Sequence, residues 1–285
     1  NVWQVAMSLG LGLSIGGGAA AAAAATQKNR SVVPYANSHS LSFDGTDHAA
    51  VLSGTEIEAL TRADFTWAFW IKDNSYSTAS FGGFNDSNGT ANDFYIRFLP
   101  VAPGVNFLQI YYKLNGIGSN AVISVGSSLT ADTWHQIAVT VTLGAGASDT
   151  STIKTYLNGS VISTVTNGPK KSDHSATSIE SDQTWGIGAR IEKSSSAAPS
   201  ATDHTSSEID EVAFWTTDLT ASEVAAIYNS GSGTIDLSQD SGDYASSSSL
   251  QHWFRLNNDL SDSTGNASDG ASQGSPTFTT DTPDS

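Results

Sequence analysis

The chain has 285 residues, 38% of them hydrophobic and 9% aromatic, enough for one large all-β domain or two smaller ones and too many for global disorder. A formal net charge of −16 repels phosphate backbones and argues against nucleic-acid binding. The absence of cysteine removes disulfides, zinc–thiolate centres and cysteine nucleophiles.

Residues 1–34 read as an apolar Gly/Ala-rich arm. Leu9, Leu11, Leu13 and Ile15 alternate with Gly and Ser, so an extended chain here has one apolar face and one nearly bare face. A run of alanines follows, and the first lysine is Lys28, so the basic start of a signal peptide is missing. The sole methionine, Met7, offers a start within the arm. Two readings stand: a free flexible arm, or an assembly arm in which residues 1–28 dock on a neighbouring subunit. No segment reads as a membrane span.

Residues 35–231 carry the main domain. Strands are expected at Ser40–Phe43, His48–Leu52, Phe65–Lys72, Asp93–Leu99, Val105–Leu114, Ala121–Val125, Trp134–Val141, Trp185–Ile191 and Ile209–Trp215. Phe65, Trp67, Phe69 and Ile71 share one face of their strand, and Trp70 falls on the other. Asn158-Gly159 between two apolar runs predicts a tight hairpin. Thr220 and Glu223 form a capping box for a helix ending at Tyr228, with Gly231 as the stop. Such a spacing of short strands predicts an antiparallel sandwich or barrel. Residues 232–285 are a Ser/Gly/Asp-rich extension in which 232–249 reads as a linker or long loop. Within it, 250–256 is one apolar strand that packs on the main domain or on a partner.

Five segments in order resemble the laminin G-like jelly rolls of the concanavalin A-like lectin/glucanase superfamily. They are Ser40-Leu41-Ser42-Phe43-Asp44-Gly45-Thr46-Asp47, Phe65 to Lys72, Trp134 to Thr140, Thr155-Tyr156-Leu157-Asn158-Gly159, and Ile209-Asp210-Glu211-Val212-Ala213-Phe214-Trp215 with its helix. The resemblance implies an all-β, two-sheet antiparallel jelly roll with one short helix. It implies glycan or protein binding and often one structural Ca²⁺. Because it places the first and last strands side by side, it makes Asp44, Asp47 and Asp210 the expected metal ligands, Asp210 sharing a face with Val212 and Phe214. The alternative is that these carboxylates cap turns through backbone N–H groups, with His48 a satisfied surface histidine.

Tyr76, Phe84, Asn85 and Asp86 are the candidate glycan-binding residues, an aromatic to stack on a sugar beside amide and carboxylate groups. The competing reading makes Phe81 and Phe84 core residues. A glycosidase is disfavoured: Glu208-Ile209-Asp210 begins the Glu-x-Asp-x-x-Glu pattern of the superfamily's glucanases, but Ala213 stands where the second Glu belongs. The histidines have no Gly-x-Ser-x-Gly context. The run Met7 to Leu13 ahead of this domain resembles virion proteins of tailed bacteriophages. The expectation is therefore a non-enzymatic virion surface protein (decoration, turret or fibre-associated), homo-oligomeric and anchored through residues 1–28. The alternative is a secreted or cell-surface carbohydrate-binding module.

Overall fold

A computed structural model describes residues 35–284 except 54–59, 74–77, 87–92, 103–104, 115–116, 125–128, 147–148, 172–183 and 194–197. The arm at 1–34 lies outside the described residues. Among the described residues the strands form two sheets.

The first sheet has eight strands. Its order is β10 (Ser160–Gly168), β9 (Ser151–Leu157), β8 (Trp134–Thr142), β3 (Phe65–Asp73), β14 (Ser207–Trp215), β1 (Ser40–Ser42) and β17 (Thr277–Thr279). A further strand, β15 (Leu250–Phe254), pairs with the C-terminal half of β14. The second sheet has nine. It runs β16 (Ala271–Gln273), β2 (Ala49–Ser53), β11 (Thr184–Ile187), β4 (Ala79–Asp86), β5 (Asp93–Ala102), β6 (Val105–Leu114) and β7 (Ile117–Ser124), with the hairpin of β12 (Arg190–Lys193) and β13 (Ser200–Thr202) attached to β4. Every pairing is antiparallel except that of β12 with β4. The architecture is an all-β, two-sheet jelly-roll sandwich, with the opening strand β1 hydrogen-bonded to β14.

The core between the sheets is built on Trp67, 1% exposed. Its ring lies 4.9 Å from Trp185 edge-on, 5.7 Å from Phe94 and 5.8 Å from Phe214 in a parallel stack. Each such buried ring contributes roughly 1.5–3 kcal/mol through burial alone. Strand β4 was not legible as a strand, because Gly82, Gly83 and Asn85 all disfavour one. Packing requires the glycine: a Cβ on Gly82 would lie 2.5 Å from the Gly186 carbonyl oxygen. Phe81 and Phe84 are core residues of this strand.

Strand β14 departs from simple alternation. Ile209 faces the core, but so do Val212 and Phe214, while Ala213 and Trp215 face outward. The switch is a β-bulge against β3 between Asp210 and Ala213, where Glu211 adopts φ +52°. Asp210 therefore lies on the outer face, not on that of Val212 and Phe214.

The outer face of the first sheet carries a second core. Ala213, Ala68 and Ala138 lie in cross-strand register, a row of small side chains that forms a trough. Helix α1 (Ala221–Tyr228) and the 232–250 segment fill it with Val224, Ile227, Ile235, Leu237 and Tyr244. The capping box of Thr220 and Glu223 is present, but the helix ends at Asn229 in the left-handed conformation, two residues before Gly231. Trp70, on this outer face, stacks on Tyr228 at 5.6 Å. The 232–249 stretch is thus a packed cover, fixed by the Trp215 Nε1–H donating to Tyr244 Oη at 2.9 Å and Tyr244 Oη–H donating to the Leu237 carbonyl at 2.9 Å.

One buried polar pair ties the C-terminal extension down. His252 Nδ1 lies 2.9 Å from Asp262 Oδ2, and Asp262 also accepts from the amides of Trp253, Thr264 and Ala267. Burial works to raise the Asp262 pKa, but the hydrogen bonds from His252 and these amides outweigh it and hold the carboxyl well below the usual range. A depressed carboxylate pKa contributes stability that is full above its unfolded value near pH 4 and is lost as pH falls through the folded value. Asp262→Ala is expected to cost about 3 kcal/mol or more in urea unfolding at pH 7, and to flatten the loss of stability below pH 4.

Candidate functional site

The β1–β2 turn forms a corner at the rim of the sandwich. Gly45, at φ +76°, takes a conformation that side chains disfavour, and a Cβ there would lie 3.0 Å from Ser206 Cβ. Asp44 Oδ1 accepts from the amides of Thr46 at 2.9 Å and Asp47 at 3.3 Å, so the turn-cap reading holds for this oxygen. The Thr46 amide chiefly holds the Asp44 carboxyl below its usual pKa. Its other oxygen lies 3.6 Å from His48 Nε2, which is 3.9 Å from Asp47 Oδ1. One ligand atom from each of Asp44, Asp47 and His48 lies within 4.8 Å of the others. The two carboxylates provide oxygens that calcium takes and the imidazole a nitrogen that it does not favour. The donor set fits a divalent cation without singling out calcium.

The third expected ligand is elsewhere. Leu41 pairs with Ile209 and Ser42 with Glu208. Asp210 is therefore level with Ser40, four residues from Asp44, or roughly 13 Å along extended chain. Asp210 is fully buried and accepts from Asn37 Nδ2 at 2.5 Å and from the Glu211 amide at 3.0 Å. The first and last strands do lie side by side, but their register keeps Asp210 away from Asp44.

Beside the corner runs a cleft of about 110 Å³ lined by Ser42, Phe43, Lys72, Asp132, Ser206, Ser207 and Glu208. Its floor is a cross-strand row at the end of the first sheet: Ser42 opposite Glu208, Glu208 opposite Lys72, Lys72 opposite Trp134. Lys72 Nζ lies 3.3 Å from Glu208 Oε2 and also pairs with Asp281. Asp281 accepts from Trp134 Nε1 at 2.8 Å. Burial pushes the Glu208 pKa up and Lys72 opposes it; the net direction is upward. For Lys72, burial acts downward, but Asp281 and Glu208 prevail and raise it. Cleft and corner share the 42–45 turn and Ser206. Ser42, Phe43 and Lys72 fall in segments that mark the fold, but nothing in them marks a cleft, and only the register of the strands assembles it.

Of the expected glycan-binding residues, only Phe84 and Asn85 have described side chains. Phe84 is buried, 5.5 Å from Trp185 edge-on, and offers no face to a sugar. Asn85 is half-buried on β4 opposite Glu192. Asp86 ends β4 opposite Lys193, while its side chain and all of Tyr76 lie outside the described residues. On the outward face of the second sheet, Tyr95 and Tyr111 stack at 5.0 Å, with Arg190 at 4.9 Å and Arg97 at 5.5 Å from the Tyr95 ring. Those guanidinium groups are engaged by Asp203, and Arg97 also by Gln109, so this cluster largely satisfies itself.

A family model described as the concanavalin A-like lectin/glucanases superfamily matches residues 43–225. Among solved structures, a protein of Bacteroides ovatus provisionally described as carbohydrate-binding superposes with a TM-score of 0.56 at 16% identity, covering 87% of this chain and 61% of its own. A heptameric SAP-like pentraxin of Limulus polyphemus gives 0.48 at 19% identity, covering 70% and 86%. A sialidase carbohydrate-binding module of Ruminococcus gnavus, bound to α2,3-sialyllactose, gives 0.44 at 13% identity, covering 66% and 96%. At these identities the likeness is one of fold. This chain thus spans less than two thirds of the Bacteroides protein. No curated protein matches the sequence. Among the described residues no helix is long and apolar enough to cross a membrane.

The charge balance of the cleft can be checked directly. Lys72→Met removes the group that opposes burial at Glu208, so the Glu208 pKa, followed by NMR titration, is expected to rise further.

Proposed function

The chain belongs to the concanavalin A-like lectin/glucanases superfamily, and from that premise we propose that it is a non-enzymatic carbohydrate-binding module whose rim cleft recognises sugar hydroxyls. The carrying observation is the lining of the cleft: three serines, two carboxylates and one ammonium beside a corner of two further carboxylates and an imidazole. Serine hydroxyls both donate and accept, carboxylates accept and an ammonium donates, which is the complement of a polyol. A divalent cation on Asp44 and Asp47 would present its remaining coordination positions toward the same turn. The carbohydrate-binding description of the Bacteroides protein of the same fold supports this reading. The bacteriophage virion role rested on residues 1–28, outside the described residues, and neither fold nor relatives favour it.

Binding is favoured over hydrolysis because Ala213 stands where the glucanase-like pattern carries its second Glu, and the Glu208 carboxylate itself is ion-paired with Lys72. Asp210, the other carboxylate of the glucanase-like pattern, is enclosed away from the cleft.

A glycan array with the full chain, with and without EDTA, tests the reading. Binding should be specific and weakened by the chelator. Glu208→Gln should weaken it roughly tenfold, the loss of one charge-assisted hydrogen bond. Asp44→Asn with Asp47→Asn should abolish the chelator effect. Absence of binding to any glycan, or release of reducing ends by the wild type that Glu208→Gln abolishes, would overturn it.

A further inference from the structure

The rim cleft and its corner are short of positive charge. Glu208 and Asp132 line the cleft, Asp281 meets Lys72 from the tail, and Asp44 and Asp47 form the adjoining corner. Among the described residues, five carboxylates thus gather about one ammonium, in a chain whose net charge is already −16. Lys72 cannot balance them, because Glu208 and Asp281 both engage it. His48 faces the corner carboxylates rather than the cleft. Even a divalent cation at the corner would leave Asp132, Glu208 and Asp281 outnumbering Lys72.

Asp132 holds the charge that has no counterpart. It sits in the turn before β8 at φ +54°, where its amide donates to the Asp73 carbonyl at 3.1 Å. That bond fixes the turn through its backbone and leaves the side chain exposed at the cleft. The cleft's ammonium pairs with Glu208 and Asp281 and not with Asp132. The surplus is felt inside the cleft: burial first, then Asp281 and Asp132, push the Glu208 pKa up against the pull of Lys72.

Resting on the carbohydrate-binding reading above, we infer that the cleft selects sugars bearing a free amine, with Asp132 accepting from the ammonium while Ser42, Ser206 and Ser207 take the ring hydroxyls. Field and contact act in the same direction. The acidic rim draws a cation in and repels a uronate or a sialic acid. Selectivity is then a difference in affinity between two sugars that differ in charge alone. The hydroxyl lining separates an amino sugar from a lysine side chain, which offers an ammonium and nothing for the serines.

The test titrates the full chain with two disaccharides by calorimetry. One is chitobiose with free amines; the other is its diacetylated form, which keeps the rings and hydroxyls and loses the charge. At about pH 6 amines carry their proton and exposed aspartates their charge. The free-amine form is expected to bind roughly threefold to fivefold tighter, an advantage that added salt shrinks. Asp132→Asn, which a left-handed backbone accepts, should erase most of that advantage with circular dichroism unchanged. Asp243→Asn removes one charge from the 232–250 cover and should leave the advantage as it is. Equal binding of the two disaccharides, tighter binding of the acetylated form or of an anionic sugar, or the same loss from Asp243→Asn overturns the inference and leaves glycan binding standing. A chain that binds other glycans but neither disaccharide overturns it too. Should no glycan bind at all, the reading of the cleft fails first and the choice of sugar with it.

Discussion

A single left-handed residue governs how this sandwich is closed. Strict alternation along β14 would send Glu211 into the apolar core after Ile209 and turn Phe214 away from Trp67. The bulge at Glu211 adds one residue, removes that carboxylate from the inter-sheet core and restores the parallel stack of Phe214 on Trp67. A non-glycine residue at φ +52° costs about 1–3 kcal/mol. The aromatic cluster it permits offsets that cost. The consequence is that two adjacent carboxylates, Asp210 and Glu211, come to lie on the outer face, where the C-terminal cover encloses them.

The outer face therefore has two chemical zones two residues apart on β14. At the rim, Glu208 stands in a row with Ser42, Lys72 and Trp134, reaches solvent through the cleft and finds an ammonium. One step inward, Asp210 stands in the row of Trp70 and Gln136, under Asn37, and finds none. The same strand thus supplies an open polar row at the rim and a closed acidic pair beneath the cover. What separates them is coverage: α1 and the 232–250 segment reach the inner row through the alanine trough and stop short of the rim.

The architecture was legible because the core strands follow the period of their fold. Phe65, Trp67, Phe69 and Ile71 alternate inward as read, and the Asn158-Gly159 hairpin stands where its turn chemistry puts it, with Asn158 at φ +50°. The helix was legible from Thr220 and Glu223. Strand β4 was not, since Gly82 answers to backbone approach from β11 and Gly83 to approach from β5, which no local pattern records. The candidate site was half legible. Asp44 and Asp47 are three positions apart in one turn and meet as expected. Asp210 fails to join them because register between β1 and β14 is set by distant packing, and the bulge at Glu211 leaves no compositional mark. Lys72, Asp132 and Ser206 enter the cleft from separate loops and strand ends, and the tail residue Asp281 joins them only after the chain returns along β17.

The account turns on whether a glycan sits on the rim row that the cover leaves open to solvent. Crystals of the full chain soaked with a glycan that it binds measure this most directly. Sugar density within hydrogen-bonding reach of Glu208 and Lys72 is the expected result. Sugar density only elsewhere on the molecule, with the rim cleft empty of it, would contradict the account.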